Sequence, residues 1–290
     1  MSIYEVFLVC AALIPALILC VYVYKKDRVE KEPIGLLLLL LGVGALMCFP
    51  AARAEGVLGD LLNMLFLNFA EEIDGVIYLG DFAFRVYNFI DYFFDVALVE
   101  EGLKFIALLL VTRNNKNFNS MFDGMIYAIF VSIGFAGLEN VLYVLKYGFA
   151  TAVSRAFTAV PGHMFFAVMM GYYYSFWKLS ERTSQFEGFF RKIGLVESGK
   201  TRWHSKKYLV LSLIVAVVAH GFYDYCLSID SFLAIVAFNL FLFYMYLYCF
   251  HKIRKLSKID GYTDNIAIAI LLKKHPHLRE HLEKLQTAES

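Results

Sequence analysis

Residues Phe232–Phe250, FLAIVAFNLFLFYMYLYCF, form a run of 19 residues without a charged side chain. A transmembrane α-helix needs about 20 consecutive, mostly apolar residues to cross a bilayer. The whole chain has this character, because 60% of its 290 residues are hydrophobic and only 18% are charged, whereas soluble domains carry roughly 25% charged residues. The sequence therefore predicts an all-α fold, a polytopic transmembrane helical bundle.

Similar apolar runs predict about seven spans. Their approximate bounds are Ile3–Tyr24, Ile34–Phe49, Asn88–Val111, Met121–Leu145, Phe157–Trp177, Tyr208–Cys226 and Phe232–Phe250. The second run is short for a bilayer. The apolar segment Val57–Ala70 is also too short for a span and is typical of a re-entrant or interfacial helix.

Lysine and arginine are concentrated in alternate connections between the runs. They cluster after the first, third, fifth and seventh runs, whereas the connection between the second and third is mainly acidic. Because cytoplasmic loops are enriched in Lys and Arg, we expect a multi-pass protein of the cell membrane with its N-terminus outside. Residues 1–250 are predicted to form the membrane domain. Residues 251–290 would form a cytoplasmic tail, with an amphipathic helix at Ile266–Leu285 along the inner leaflet.

Charge and cysteine content exclude two classes of function. The formal net charge is only +1, which argues against nucleic acid as a partner. The five cysteines all lie in apolar segments and form no C-x-x-C motif. They are therefore interpreted as small buried hydrophobic residues and not as a disulfide framework or a metal cage.

Several ionisable side chains lie inside the predicted spans. They are Glu100, Glu101, Lys104, Glu139, His163, His220 and Asp224. A charge at mid-bilayer costs roughly 2.5–3.5 kcal/mol on insertion scales, so such residues normally face a bundle interior or a water-filled cavity. With the predicted orientation and a rise of about 1.5 Å per residue, they share one layer in the outer half of the membrane. This predicts one site in the bundle interior, open to the outer side.

The spacing of these residues places pairs of them on common helix faces. Glu100 and Lys104 are four residues apart, as are His220 and Asp224, and residues at this spacing are neighbours on a helix surface. Glu100 and Glu101 point about 100° apart. One of the two acids can therefore face a reaction centre while the other makes a supporting contact.

The same motifs, in order, resemble those of the PrsW family of intramembrane proteases. The matching pieces are Glu100-Glu101-x-x-Lys104, Phe122-Asp-Gly124, Gly134-Phe135-Ala136 with Glu139-Asn140, Arg155, Pro161-Gly-His163 and Ala219-His-Gly-Phe222 with Asp224. They cover roughly residues 95–226. A more distant relation is to the CAAX-type membrane endopeptidases, whose pattern carries His where Glu139 stands and usually Asn where Asp224 stands.

The resemblance implies an intramembrane endopeptidase that cleaves a single-span membrane protein, such as an anti-sigma factor, near its extracytoplasmic side. Glu100, Glu101 and Lys104 would form the catalytic group. A glutamate would activate the water and later protonate the leaving amine.

The resemblance also makes zinc the expected cofactor. The candidate ligands are Glu139, His163, His220 and Asp224. Three protein ligands plus water are the usual catalytic zinc arrangement. A metal-free route, with glutamate alone activating water, stays open. Arg155 and Asn140 are candidates for substrate binding.

Other interpretations of these residues stay open at this point. Asp224 could only orient His220, as carboxylates beside metal-bound histidines do. His163 could be a helix cap, and Glu139 a helix–helix contact. The chain as a whole could be an ion-coupled carrier or a non-catalytic peptide-binding sensor or scaffold, although it lacks the internal repeat frequent in carriers.

Overall fold

The computed structural model describes residues 2–73, 76–197 and 205–279. Helices account for nearly all regular structure in these ranges, confirming the predicted all-α class. The helices are α1 (Ile3–Lys26), α2 (Ile34–Leu46), α3 (Cys48–Phe66), α4 (Asp81–Ile90), α5 (Leu98–Thr112), α6 (Asp123–Tyr147), α7 (Phe149–Phe157), α8 (Ala159–Lys192), α9 (Ser205–Ser228), α10 (Phe232–Lys258) and α11 (Thr263–Lys274). A 3-10 turn (Leu67–Phe69) follows α3, and a π-helical segment (Asp91–Ala97) joins α4 to α5. Two short antiparallel strands, β1 (Ala70–Ile73) and β2 (Val76–Leu79), pair with Ala70 opposite Leu79.

Five helical runs in the described chain are long and apolar enough to cross a membrane. They are Ile3–Lys26, Ile34–Phe69, Asp123–Tyr147, Ser205–Ser228 and Phe232–Lys258. The second run is longer than the predicted span, because α3 begins only two residues after α2 ends. The segment Val57–Ala70 is therefore not a separate helix, since most of it is the second half of α3.

The other two predicted spans depart from a plain apolar helix. The run Asn88–Val111 contains the end of α4, the π-helical segment and α5. The run Phe157–Trp177 lies mostly in α8, which continues to Lys192 and is ~50 Å long at 1.5 Å per residue. Both stretches carry polar side chains that lower their hydropathy.

The far end of α8 holds the C-terminal helix. Arg182 of α8 donates two hydrogen bonds to Asp264 of α11, at 2.7 and 2.6 Å. Phe190 and Leu271 belong to one small buried apolar cluster between the two helices. The predicted tail helix thus begins as α11, packed on α8. Its position at the inner leaflet stays a prediction, and residues 280–290 lie outside the described ranges.

A buried carboxyl ties the connection between α1 and α2 to the central helix α6. The hydroxyl of Tyr127 donates to Glu32 Oε2 at 2.7 Å, and the Glu32 backbone N–H donates to Asp27 Oδ2 at 3.2 Å. Burial, reinforced by the neighbouring carboxylate of Asp123, raises the pKa of Glu32 to about 8. The raised pKa means that the protonated form of this carboxyl is favoured more than in an exposed glutamate.

Two glycines allow α2 and α6 to cross in backbone contact. A Cβ atom at Gly44 would lie 2.0 Å from the carbonyl oxygen of Val131, and one at Gly134 would lie 2.1 Å from that of Leu41. Small residues at helix crossings let backbones approach closely in membranes, where lipid supplies no hydrophobic force between helices. This crossing fixes α6, the helix that carries Glu139, against α2.

We expect Gly44→Leu to lower the free energy of unfolding in detergent by about 1–3 kcal/mol or more, since overpacking against a backbone cannot relax by side-chain rotation. Gly42→Leu is the matched control, because a Cβ atom at Gly42 meets nothing within 4 Å. The measurement is denaturant or thermal unfolding of both variants. Equal losses in the two would contradict the assigned crossing.

Candidate functional site

The ammonium group of Lys104 lies at the centre of the polar residues inside the bundle. It donates to Glu100 Oε2 at 2.9 Å, to Glu101 Oε1 at 2.8 Å and to His163 Nδ1 at 3.0 Å. These bonds use all three of its N–H donors. The ring of Phe135 covers the group from another side, with its centroid 4.1 Å from Nζ. Lys104 is only 1% exposed and Glu101 is fully buried. One ammonium group is therefore shared by two carboxylates, Glu100 and Glu101, that lipid cannot solvate.

This contact also assigns the proton on His163. An ammonium group can only donate, so Nδ1 of His163 must carry the lone pair. The proton then sits on Nε2, which donates to Glu139 Oε2 at 2.9 Å. Glu139 also contacts Arg155 Nη2 at 2.9 Å. His163 therefore presents an unprotonated nitrogen toward the acid pair of α5.

His220 reaches the same group from α9. Its Nδ1 lies 3.0 Å from Glu101 Oε1, and its Nε2 lies 3.1 Å from Asp224 Oδ2. The ring stacks on Phe166 with a centroid distance of 4.7 Å, and its centroid is 5.3 Å from that of His163. The seven ionisable residues predicted to share one layer are thus joined in one continuous chain of contacts.

A cavity of about 600 Å³ opens directly onto this chain of contacts. Five of its lining residues are the predicted Glu100, Glu139, His163, His220 and Asp224. The volume lies within the range that holds ligands of a few hundred daltons. Glu100 lines the cavity, whereas the fully buried Glu101 is not among the lining residues.

Arg155 and Asn140, the predicted substrate-binding residues, contact each other and the rest of the protein. Arg155 Nε donates to Asn140 Oδ1 at 2.9 Å, and Asn140 Nδ2 donates to the carbonyl oxygen of Ala12 at 2.7 Å. Arg155 lies on the ring of Tyr143, 4.1 Å from its centroid, and lines the cavity. Asn140 is completely buried. In this structure Arg155 thus holds Glu139, and Asn140 joins α6 to α1.

Helix α3 forms part of the cavity wall, a contribution that was not predicted from the sequence. Cys48, Ala51, Ala52 and Glu55 all line it. The Cys48 thiol donates to the carbonyl oxygen of Phe135 at 3.3 Å. Glu55 Oε1 is buried and has no hydrogen-bond partner among the described residues. The i, i+3, i+4, i+7 spacing of these four positions could have indicated one inward helix face.

The glycine after His220 positions α9 against the π-helical segment. A Cβ atom at Gly221 would lie 2.7 Å from the ring of Phe93. Without a side chain, α9 approaches residues 91–97, which lead directly into the helix carrying Glu100 and Glu101. This explains why the motif needs Gly at this position for the acid pair and the imidazole to meet.

The carboxylates and imidazoles around Lys104 are a donor set of the kind that holds a divalent metal ion, and an ion bound there would replace the contacts that the ammonium group makes to three of them. One ligand atom from each of Glu100, Glu101, His163 and His220 lies within 4.8 Å of the others. Glu101 Oε2 is buried and has no hydrogen-bond partner in the ranges that the structure describes. Carboxylate oxygens and imidazole nitrogens are the ligands of catalytic zinc sites. Glu139 and Asp224 contact the far nitrogens of the two imidazoles, as carboxylates behind metal-bound histidines do.

Comparison with known proteins gives a consistent match. The model of a family described as PrsW family intramembrane metalloprotease matches residues 32–250. Protease PrsW of Clostridioides difficile is 28% identical over 267 residues, covering 91% of this chain and 95% of its own length. Protease PrsW of Halalkalibacterium halodurans is 30% identical over 230 residues, covering 77% and 85%. Protease PrsW of Oceanobacillus iheyensis is 29% identical over 221 residues, covering 75% and 81%. No solved structure is significantly similar to the chain.

Proposed function

The chain belongs to the PrsW family of intramembrane proteases, and from this premise we propose that Glu100 activates the water that cleaves a peptide bond of a membrane-spanning substrate. The observation that carries the proposal is the buried Glu100–Glu101–Lys104 group in contact with two imidazoles beside a cavity. A carboxylate inside a membrane is energetically costly, so its presence beside a cavity indicates a functional site.

Glu100 is the proposed base because its carboxylate both lines the cavity and is held by Lys104. It accepts a proton from the attacking water and later delivers that proton to the leaving amine. Glu101 supports this step by fixing Lys104 and His220. In the metal-free route, a protonated His220, which lines the cavity, would stabilise the oxyanion that forms on the scissile carbonyl.

The proposed metal ligands are His163, His220 and Glu101, which leaves Glu100 free to act as the base. A bound zinc ion would lower the pKa of its water and polarise the scissile carbonyl. Glu139 and Asp224, predicted from the sequence as ligands, orient the two imidazoles in this proposal. Without a metal, the same residues support the glutamate-only route, with Glu100 as base.

The proposed substrate is a single-span membrane protein, such as an anti-sigma factor, cut near the extracytoplasmic side. The positions of the site residues support this depth. His163 is four residues after the start of α8, and Glu139 and His220 are each eight residues before the ends of α6 and α9. The opposite ends of these helices adjoin the lysine- and arginine-rich connections, which supports an N-terminus outside and a C-terminus in the cytoplasm.

We expect the purified chain in proteoliposomes to cut a single-span reporter on the outer half of its transmembrane segment. Mass spectrometry of the two fragments locates the cut, and the Glu100→Gln protein is the inactive control. A cut in the half that adjoins the lysine-rich loops would contradict the proposed side. An uncut reporter together with proton or solute flux through the same vesicles would favour the carrier instead.

A further inference from the structure

A second pocket lies at the end of the bundle away from the catalytic cavity. It has a volume of about 360 Å³ and lies between the connection from α5 to α6 and the middle of α8. Four cationic residues line it, namely Arg113, Lys116, Lys178 and Arg182. Lys178 is 15 residues along α8 from His163, which is ~22 Å at 1.5 Å per residue. This pocket is therefore distinct from the proteolytic site.

The positive charge of this pocket is only partly compensated. Arg182 is bound by both oxygens of Asp264, at 2.7 and 2.6 Å. In the described part of the chain, no carboxylate lies within 4.0 Å of the charged groups of Arg113, Lys116 or Lys178. Glu181 is the one further acid among the lining residues. The pocket as a whole thus keeps a net positive charge.

Neutral hydrogen-bond donors surround the uncompensated cations. The segment 113–119, RNNKNFN, contains two cations, four asparagines and no acid. Asn114, Asn115 and Asn119 line the pocket together with Arg113 and Lys116. Asn119 Nδ2 donates to Glu30 Oε2 at 3.1 Å, so the amides of Asn114 and Asn115, together with the cations, are the groups that match the oxygens of a phosphate, which accept several hydrogen bonds.

Aromatic rings hold two of the cations of this pocket in place. The guanidinium carbon of Arg113 lies 6.0 Å from the ring of Trp177, and Lys178 Nζ lies 4.9 Å from the ring of Phe118. Lys178 also donates to the carbonyl oxygen of Arg113 at 3.1 Å. Trp177 and Phe118 are themselves buried. The cationic groups are therefore positioned by the fold and do not simply extend into solvent.

An exposed apolar surface on α5 adjoins the pocket. On α5, Leu110 is 82% exposed and Ile106 is 51% exposed, and they precede Arg113 by three and seven residues. Residues at this spacing share one face of a helix. A ligand with its phosphate in the pocket would therefore have an apolar surface beside it for acyl chains, which free phosphate would not use.

We propose that this pocket binds the phosphate headgroup of an anionic glycerophospholipid from the adjoining leaflet. The cations and amides bind the phosphate, and the exposed face of α5 contacts the acyl chains. Basic pockets between transmembrane helices recognise anionic headgroups in this way. The binding is independent of the peptide-cleaving step.

The test uses the full chain in nanodiscs of phosphatidylcholine with increasing phosphatidylglycerol. Native mass spectrometry counts retained lipids, and thermal unfolding reports stabilisation. We expect a saturable phosphatidylglycerol site whose affinity falls about 30-fold in Arg113→Gln/Lys116→Gln, since each near-surface cation contributes roughly a factor of five. The matched control is Lys206→Gln/Lys207→Gln, which removes the same charge from exposed residues at the start of α9.

Each outcome decides the proposal. Selective loss in the Arg113→Gln/Lys116→Gln protein supports it. An equal loss of phosphatidylglycerol affinity in both double variants overturns the proposal, because the effect would then come from general surface charge. Equal retention of phosphatidylcholine and phosphatidylglycerol also overturns it. Inorganic phosphate in plain phosphatidylcholine nanodiscs is the second arm. If phosphate stabilises the protein at the concentration at which phosphatidylglycerol does, the lipid is overturned as the ligand.

Discussion

Glu100→Gln is expected to give a folded protein that cleaves its membrane-spanning substrate about a hundred- to ten-thousand-fold more slowly than the parent chain. The substitution keeps the shape of the side chain and removes its ability to take a proton, and general base catalysis contributes a factor of this size. Lys104 retains Glu101 as its ionic partner at 2.8 Å, so no buried charge is left alone. The measurement is the initial rate of reporter cleavage at equal amounts of folded protein.

The control for this variant is Asp60→Asn, which makes the same chemical change at an exposed carboxylate of α3. It should cleave at the parental rate. Glu101→Gln is informative beside it, since it weakens the contacts to Lys104 and His220 without altering the cavity wall. If the Glu100→Gln protein had normal activity and the Glu101→Gln protein were inactive, the base would be Glu101 and the supporting residue would be Glu100.

The second large effect concerns metal content. We expect the purified chain to hold about one zinc ion, and His163→Ala and His220→Ala each to abolish binding, because each removes a nitrogen that faces the centre of the site. Asp224→Asn should keep the ion but bind it about 10- to 100-fold more weakly, as loss of a carboxylate behind a ligating histidine does. Elemental analysis and the shift of thermal unfolding on adding zinc measure this without relying on activity.

His251→Ala is the matched control for these variants, because His251 is exposed on α10 and outside the cavity. Its zinc content should equal that of the parent. Full cleavage by a protein from which chelation has removed all zinc would overturn the metal-assisted route. The role of Glu100 would survive that result.

Four of the predicted spans each correspond to one helix that is long and apolar enough to cross a membrane, namely α1, α6, α9 and α10. The run Phe232–Phe250 lies within α10, and Ile3–Tyr24 lies within α1. The extent of α3 was not predicted, because Arg53, Glu55 and Asp60 interrupt its apolar pattern. Of these three, Glu55 lines the cavity, so one of the residues that interrupt the apolar pattern is explained by the position of α3 beside the site.

The sequence predicted that the site residues lie at one depth and converge. It did not predict which of these residues contact each other. Depth along a helix is a function of sequence position, whereas rotation about the helix axis depends on packing against neighbours. The spacing within one helix indicated that Asp224 could orient His220, whereas the contact of Glu139 with Nε2 of His163 joins two helices and was not predicted. It also gave no sign that Arg155, from the short helix α7, reaches Glu139 at 2.9 Å.

The π-helical segment at residues 91–97 has a consequence for comparing relatives of this chain. Its i→i+5 hydrogen bonds accommodate one residue more than an α-helical turn does. A relative with regular helix there would need one residue fewer between Asp91 and the acid pair to present both glutamates in the same direction. In an alignment, a relative with regular α-helix here is therefore expected to show a one-position gap just before the two glutamates. The gap marks a change between π-helical and α-helical pitch during evolution. Closing such a gap would mispair every upstream residue of that helix.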